Sequence, residues 1–132
     1  MNGDIIVIVE HWKGQIDGIT YQLLAKAAQL ADSLEVGVSA LIVGHKLENA
    51  VEVLKDKGIN TLWVIDEPQM EQVGTEVCCA VITEAIRQVN PKLVIIGYSL
   101  VGMELSPPVA GRLGVPLMTN CLNVGVANGE IF

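Results

Sequence analysis

The chain has 132 residues, with eight Lys and Arg against fifteen Asp and Glu, a formal net charge of −7, 51% hydrophobic residues and 17% charged. That length fits one domain able to bury its own core, and the apolar share excludes a disordered chain. The acidic balance and scattered Lys and Arg exclude the basic footprint of a nucleic-acid binder; the apolar runs are far short of the roughly 20 residues that span a bilayer, and Asp4 with no basic segment is no secretory signal.

In chain order, Ile5–Val9 is a continuous aliphatic run, which predicts a strand buried on both faces. From Thr20, a candidate N-cap, the spacing changes. Leu23, Leu24, Ala27, Leu30, Ala31 and Leu34 recur at helical intervals. Val36–Val43 predicts the second strand, and Leu47, Ala50, Val51 and Leu54 a second helix stopped by Gly58. Thr61–Ile65 predicts the third strand, ended by Glu67-Pro68. Cys78, Val81, Ile82, Ala85, Ile86 and Val89 mark a third helix, closed by Asn90-Pro91. Leu93–Ile96 predicts the fourth strand. The loop Gly97–Gly102 then leads to a helix marked by Leu105, Val109 and Leu113, with Pro107 and Pro108 expected in or near its first turn. Cys121–Val126 reads as a strand, and Asn128-Gly129 is a two-residue hairpin signal with only three residues after it. A returning strand that short suggests a fragment cut mid-strand.

Strands alternating with helices predict an α/β fold. The expected architecture is a three-layer sandwich with a mostly parallel sheet, nucleotide-binding-like and close to the adenine nucleotide alpha hydrolase-like group. Three cysteines are too few for a disulfide framework. Cys78 and Cys79 are adjacent, not a C-x-x-C pair, so these two and Cys121 read as ordinary buried thiols in a reducing compartment. No metal-ligand spacing is present.

Ligands of open parallel sheets bind beyond the carboxyl ends of the strands. Three segments are expected there: Glu10-His11-Trp12, Gly44-His45-Lys46 and Gly97–Gly102. The last precedes a helix, so Gly97, Ser99 and Gly102 are candidates for holding an anion at free backbone N–H groups. It has neither the G-K-[ST] of a P-loop nor G-x-G-x-x-G, and an ordinary strand-to-helix turn is the plainer reading. Glu104, expected near the start of that helix, would repel a phosphate. Glu10-His11 has no evident nucleophile or metal partner, so a solvated or interface-facing loop is the plainer reading, and His45-Lys46 reads as a solvated helix start. Trp12 and Trp63 are expected to pack rather than stack on a cofactor. Ser99 has no base near it in sequence, so no catalytic residue is identified.

Several segments together resemble the electron transfer flavoprotein alpha subunit, over its N-terminal domain. Ile6-Val7-Ile8-Val9-Glu10-His11 followed by Gly14 is similar to that family's opening strand and turn. The helix Leu23–Leu34, the run Val38–His45, Gly58 and Asp66-Glu67-Pro68 also fit. The most specific part is Ser99-x-x-Gly102 with Pro107, Ala110, Arg112-Leu113-Gly114 and Pro116, ending at Thr119-Asn120. Met103 stands where the family usually has a basic residue, Pro108 where it has Arg, and Asn120 where Asp is common.

The resemblance implies a single N-terminal-type α/β domain over 1–132, with the family's C-terminal FAD domain outside this chain. It implies a scaffold that packs against the beta subunit and supports the FAD domain, which shuttles electrons from flavin dehydrogenases to an acceptor. On this reading the chain is an electron-carrier component, not an enzyme, and carries no cofactor alone. FAD belongs to the full-length parent and AMP to the partner subunit. The loop matching the AMP site, with Gly97, Ser99, Gly102 and Asn120 as cofactor-binding candidates, is expected to be vacant, as the Met103 and Pro108 departures suggest. A cytoplasmic location is expected, or the mitochondrial matrix in a eukaryote. The alternative is a small adenine-nucleotide-binding module similar to universal stress proteins, although that group's phosphate signature is missing. A related nucleotide hydrolase is disfavoured because no S-G-G-x-D-S loop follows the first strand.

Overall fold

Ile5–Ile8 forms β1, and all four side chains are buried. Such a strand needs apolar cover on both sides, and the chain supplies it. A computed structural model describes residues 3–72, 74–97, 100–114, 126–127 and 130–131. Around β1 run β4 (Val38–Gly44), β5 (Thr61–Asp66) and β6 (Leu93–Ile95), in the order β5-β4-β1-β6 and all parallel. Between β1 and β4 lie a two-stranded ribbon, β2 (His11–Trp12) and β3 (Gln15–Ile16), and helix α1 (Gly18–Leu34). Helices α2 (Glu48–Leu54), α3 (Thr75–Val89) and α4 (Leu100–Leu113) complete the layers, with a 3-10 turn at Pro68–Gln72. The fold is therefore the expected three-layer α/β sandwich.

Alternate side chains of the strands feed two cores. Ile5, Val7, Val38, Ala40 and Ile42 meet Leu24, Ala27 and Leu30 of α1 and Ala50 and Leu54 of α2. Ile6, Ile8 and Leu41 meet Cys79, Ile82, Ile86 and Val89 of α3 and Leu105 and Val109 of α4. Full burial of one such aliphatic side chain stabilises by about 2 kcal/mol. β5 is an outer edge, and Trp63 and Val64 on it are partly exposed. Trp63 thus packs only in part, and Trp12, expected to pack, is 76% exposed at the ribbon.

Several boundaries differ from the sequence expectation for identifiable reasons. Asp17, not Thr20, caps α1, because its carboxylate accepts the Ile19 N–H at 3.1 Å while Thr20 is fully buried one turn inside. Helix α2 ends at Leu54, before Gly58, which turns the chain with φ +74° on the way to β5. Asn90-Pro91 closes α3 as expected, with Asn90 in the left-handed region. Helix α4 begins at Leu100, so the loop expected at 97–102 is shorter and Gly102 is helical. Pro107 and Pro108 then lie inside the helix, not in its first turn, and Glu104 is its fifth residue. Each proline lacks the N–H that the helix interior uses, so packing of Leu105 and Val109 holds α4 in place. Val126–Ala127 (β7) pairs antiparallel with Glu130–Ile131 (β8), the hairpin that Asn128-Gly129 signals. The turn residues themselves and most of the expected strand Cys121–Val126 lie outside the described residues.

Leu41 is 1% exposed on the α3/α4 face. Leu41→Ala is expected to cost about 3 kcal/mol, read as a lower urea midpoint with the slope unchanged.

Candidate functional site

The order β5-β4-β1-β6 reverses between β1 and β6. In parallel α/β sheets that reversal opens the ligand crevice at the carboxyl edge, so the residues leaving β1 and β6, Glu10 and Gly97, define the candidate site. Gly97 is buried, and a Cβ built on it would collide with the Glu10 carboxylate and come within 3.1 Å of Ile19 Cδ1. Gly97 is thus covered by an acid from one strand and an aliphatic side chain from α1. Ser99 and Asn120 lie outside the described residues. Gly102 lies in the first turn of α4. Of the two sequence candidates among the described residues, Gly97 lies at the exit of β6 and Gly102 at the start of α4.

Glu10 is held from its backbone. Its N–H donates to Thr20 Oγ1 at 3.1 Å, and its carbonyl accepts from that hydroxyl at 3.3 Å and from the Asp17 N–H at 2.9 Å. Threonine inside a helix commonly returns its hydroxyl to its own backbone. Here it fixes the exit of β1 instead.

His11 begins the ribbon. The Gly14 N–H donates to its Nδ1 at 2.9 Å, so Nδ1 is an acceptor and the proton sits on Nε2, which donates to the Val43 carbonyl at 2.8 Å. Both nitrogens are committed, so the imidazole ties β1 to β4 rather than moving protons. Gly44 makes this possible: a Cβ there would lie 2.8 Å from His11 Cε1. The ribbon turns at Lys13 (φ +50°) and Gly14 (φ +87°), the two positive values that a tight hairpin turn uses. The sequence reading missed this ribbon, because Lys-Gly is a weaker turn signal than Asn-Gly and its strands are two residues each.

Asp66, at the end of β5, holds the backbone that leads into α2. It accepts the Lys46 N–H at 2.9 Å and the Leu47 N–H at 3.0 Å, and His45 Nδ1 lies 3.3 Å away. The bond from Leu47, then those from Lys46 and His45, hold its carboxyl below the usual aspartate range. His45 is therefore a pairing partner of Asp66 rather than a purely solvated helix start. A cleft of about 690 Å³ lies beside these loops, with Val43, Ile82, Ile96 and Leu105 among its apolar walls and Glu10 and His11 at its polar side. Burial raises the Cys78 and Cys79 thiols above their ordinary value, which makes them poor nucleophiles; Cys121 lies outside the described residues. Among the described residues no three His, Cys, Asp or Glu could hold a metal ion, and no helix is long and apolar enough to cross a membrane.

The model of the electron transfer flavoprotein domain family matches residues 5–132. The chain is 28% identical to an electron transfer flavoprotein subunit alpha of Thermoanaerobacterium thermosaccharolyticum, over 93% of this chain and 37% of that protein. It is 30% identical to the subunit of the same name from Megasphaera elsdenii, over 92% of this chain and 36% of that protein. It is 32% identical to subunit LctC of the NAD(+),ferredoxin lactate dehydrogenase of Acetobacterium woodii, over 89% of this chain and 28% of that protein. The chain thus spans between 28% and 37% of the length of these three relatives.

Two outcomes follow from the geometry. His11→Ala leaves the Val43 carbonyl and the Gly14 N–H without the imidazole and is expected to cost about 2 kcal/mol, measured by chemical denaturation. Asp66 stabilises the fold in its charged form, fully so above the unfolded value of about 3.9, and this contribution is lost as pH falls through its lower folded value. Asp66→Asn is therefore expected to lower the melting temperature at pH 7 and to flatten its decline below about pH 4.

Proposed function

Because the chain belongs to the electron transfer flavoprotein domain family, we propose that it serves as the N-terminal scaffold of an electron transfer flavoprotein alpha subunit. It packs against a beta-type subunit and supports a separate FAD-bearing domain. The complex passes electrons from flavin dehydrogenases to an acceptor, and this domain contributes no reacting group.

One observation carries the reading: at the strand exits where a nucleotide phosphate would lie, the Glu10 carboxylate sits directly against Gly97 and lines the cleft. The pyrophosphate of FAD or the phosphate of AMP would meet a negative charge there, so these residues do not fit such a group. The same contact counts against the alternative of an adenine-nucleotide module. A scaffold also accounts for the apolar surface left uncovered on an acidic domain. Trp12 is 76% exposed, and Tyr21, Val53, Trp63, Val64 and Val77 are exposed too.

The test is co-expression of the alpha chain that carries this domain with a beta-type subunit. The expected result is a stable complex with the alpha chain that carries this domain, and one that weakens when Trp63→Asp places a charge on the β5 edge. Separate elution of the two subunits would overturn the scaffold reading.

A further inference from the structure

Cations are scarce in this chain, yet three of its eight Lys and Arg converge on one groove. The groove lies between the β2–β3 ribbon and α2, beside the larger cleft. Its volume is about 460 Å³, and Lys13, Ile16, Tyr21, Lys46, Asn49 and Val53 are among its walls. Lys57 joins it with its Nζ 5.2 Å from the centre of the Tyr21 ring, and Lys13 Nζ lies 5.6 Å from that of Trp12. Among the described residues none of Lys13, Lys46 and Lys57 pairs with an acid, and no Asp or Glu lines the groove. Acids on the adjoining elements are engaged elsewhere: Asp17 with the Ile19 N–H, Asp66 with the N–H groups of Lys46 and Leu47, and Glu52 with Lys55 at 2.8 Å. Glu48, in the first turn of α2, is not one of the walls.

Two of these lysines stand on backbone that a lysine seldom adopts. Lys13 has φ +50° and Lys46 φ +56°, in the left-handed region where a Cβ is crowded. The ribbon turn and the loop before α2 also abut, since a Cβ on Gly14 would lie 3.4 Å from the Lys46 carbonyl oxygen, and Asp66 holds the Lys46 N–H at 2.9 Å. The two ammonium groups are therefore carried on fixed supports, which lowers the ordering that binding must impose. Apolar surface flanks them in the open: Trp12 is 76% exposed, Tyr21 37% and Val53 43%.

We propose that this groove docks an acidic, leucine-bearing segment of a partner protein, its carboxylates on Lys13, Lys46 and Lys57 and its apolar side chains on Tyr21 and Val53. Charge complementarity selects the occupant. A chain of net charge −7 repels a second copy of itself at long range, and three cations are a small footprint for a nucleic-acid backbone. The groove is a local exception on an acidic domain, so an acidic segment is attracted there and repelled elsewhere, which fixes its register. Ammonium groups lying over aromatic rings present charge and apolar surface side by side, the pairing that acid and leucine together would meet. The inference goes beyond the scaffold reading and does not rest on it, since such a segment can dock whether or not a beta-type subunit packs on the domain.

The test uses the full chain and a fluorescein-labelled peptide of Glu and Leu, followed by fluorescence anisotropy. Peptides of the same length with Lys for Glu, or with Gly for Leu, are the controls. The expected result is saturable binding of the Glu-Leu peptide at about 0.05 M sodium chloride that weakens at about 0.5 M, where charges are screened within a few ångströms. Lys13→Glu and Lys46→Glu each weaken binding by about tenfold. Lys92→Glu, which changes net charge equally but lies at the entry to β6, leaves it unchanged. Melting curves check that each variant is folded; should Lys46→Glu unfold, Lys13→Glu and Lys57→Glu read the same groove from its other sides. No binding of the Glu-Leu peptide would overturn the proposal, as would equal binding of the Lys-Leu peptide or equal weakening by Lys92→Glu. Binding of the Glu-Gly peptide as tightly as the Glu-Leu peptide removes the apolar half of the proposal and overturns it as stated. Self-association of the chain that Lys46→Glu abolishes assigns the groove to a second copy and overturns it too.

Discussion

The carboxyl edge of this domain depends on how the chain leaves its central strand. A buried threonine hydroxyl, one turn inside α1, accepts from the Glu10 N–H and donates to the Glu10 carbonyl. A strand end facing a crevice has backbone groups that need partners, and water or a ligand commonly supplies them. Here the following helix does so. The direction of the Glu10 side chain, the cover over Gly97 and the start of the ribbon at His11 are consequences of that clamp. The remaining edge is built by the same device of borrowing a partner from elsewhere in the sequence. His11 joins the exit of β1 to the end of β4, and Asp66 joins the end of β5 to the start of α2. Three loops are thus fixed to one another by side chains of the chain itself.

The opposite edge has its own lock. Asp4 is buried, and its carboxylate accepts from the Ser39 hydroxyl at 3.0 Å and the Gly37 N–H at 3.3 Å. Its carbonyl accepts the Lys92 N–H at 2.7 Å. The entries to β1, β4 and β6 are therefore set in register by one residue. A buried carboxylate is costly unless it is hydrogen-bonded, and Gly37 allows the approach, since a Cβ there would lie 3.2 Å from both Asp4 oxygens. The apolar middle of the sheet supplies most of the burial, and the polar residues at its two ends supply the alignment.

The fold was legible because its strongest signal is the simplest. Aliphatic runs at Ile5–Val9 and Val36–Val43 can be buried on both faces only within a helix-covered parallel sheet, and the helical spacing from Leu23 to Leu34 names the cover. Local chemistry was less legible. Thr20 and Asp17 both look like N-caps, and only burial distinguishes them, because Thr20 is needed inside. The prolines of α4 contradict local propensity, and contacts distant in sequence override it. The site was half legible. Gly97 was singled out for its backbone, but the residue that lies against it, Glu10, was read as part of a solvated or interface-facing loop. Nothing local to Glu10-His11 announces that a strand far along the chain will deliver a glycine beneath it.

The strand order also dictates a sequence of events during folding. Ile5 finds Val38 after the ribbon and a single helix, but finds Leu93 only after two further strands and two further helices have been made. Closing the longer loop costs more entropy and is rewarded later. The unit of β1, α1 and β4 therefore closes early, and β6 arrives last to cover the second edge of β1. Until then the most apolar strand of the molecule presents an open row of backbone donors and acceptors, the form in which incomplete sheets join to one another. Newly made chains are thus most vulnerable to mutual capture in the interval before β6 docks, and anything that hastens its arrival protects the yield of folded protein more than it changes the final stability.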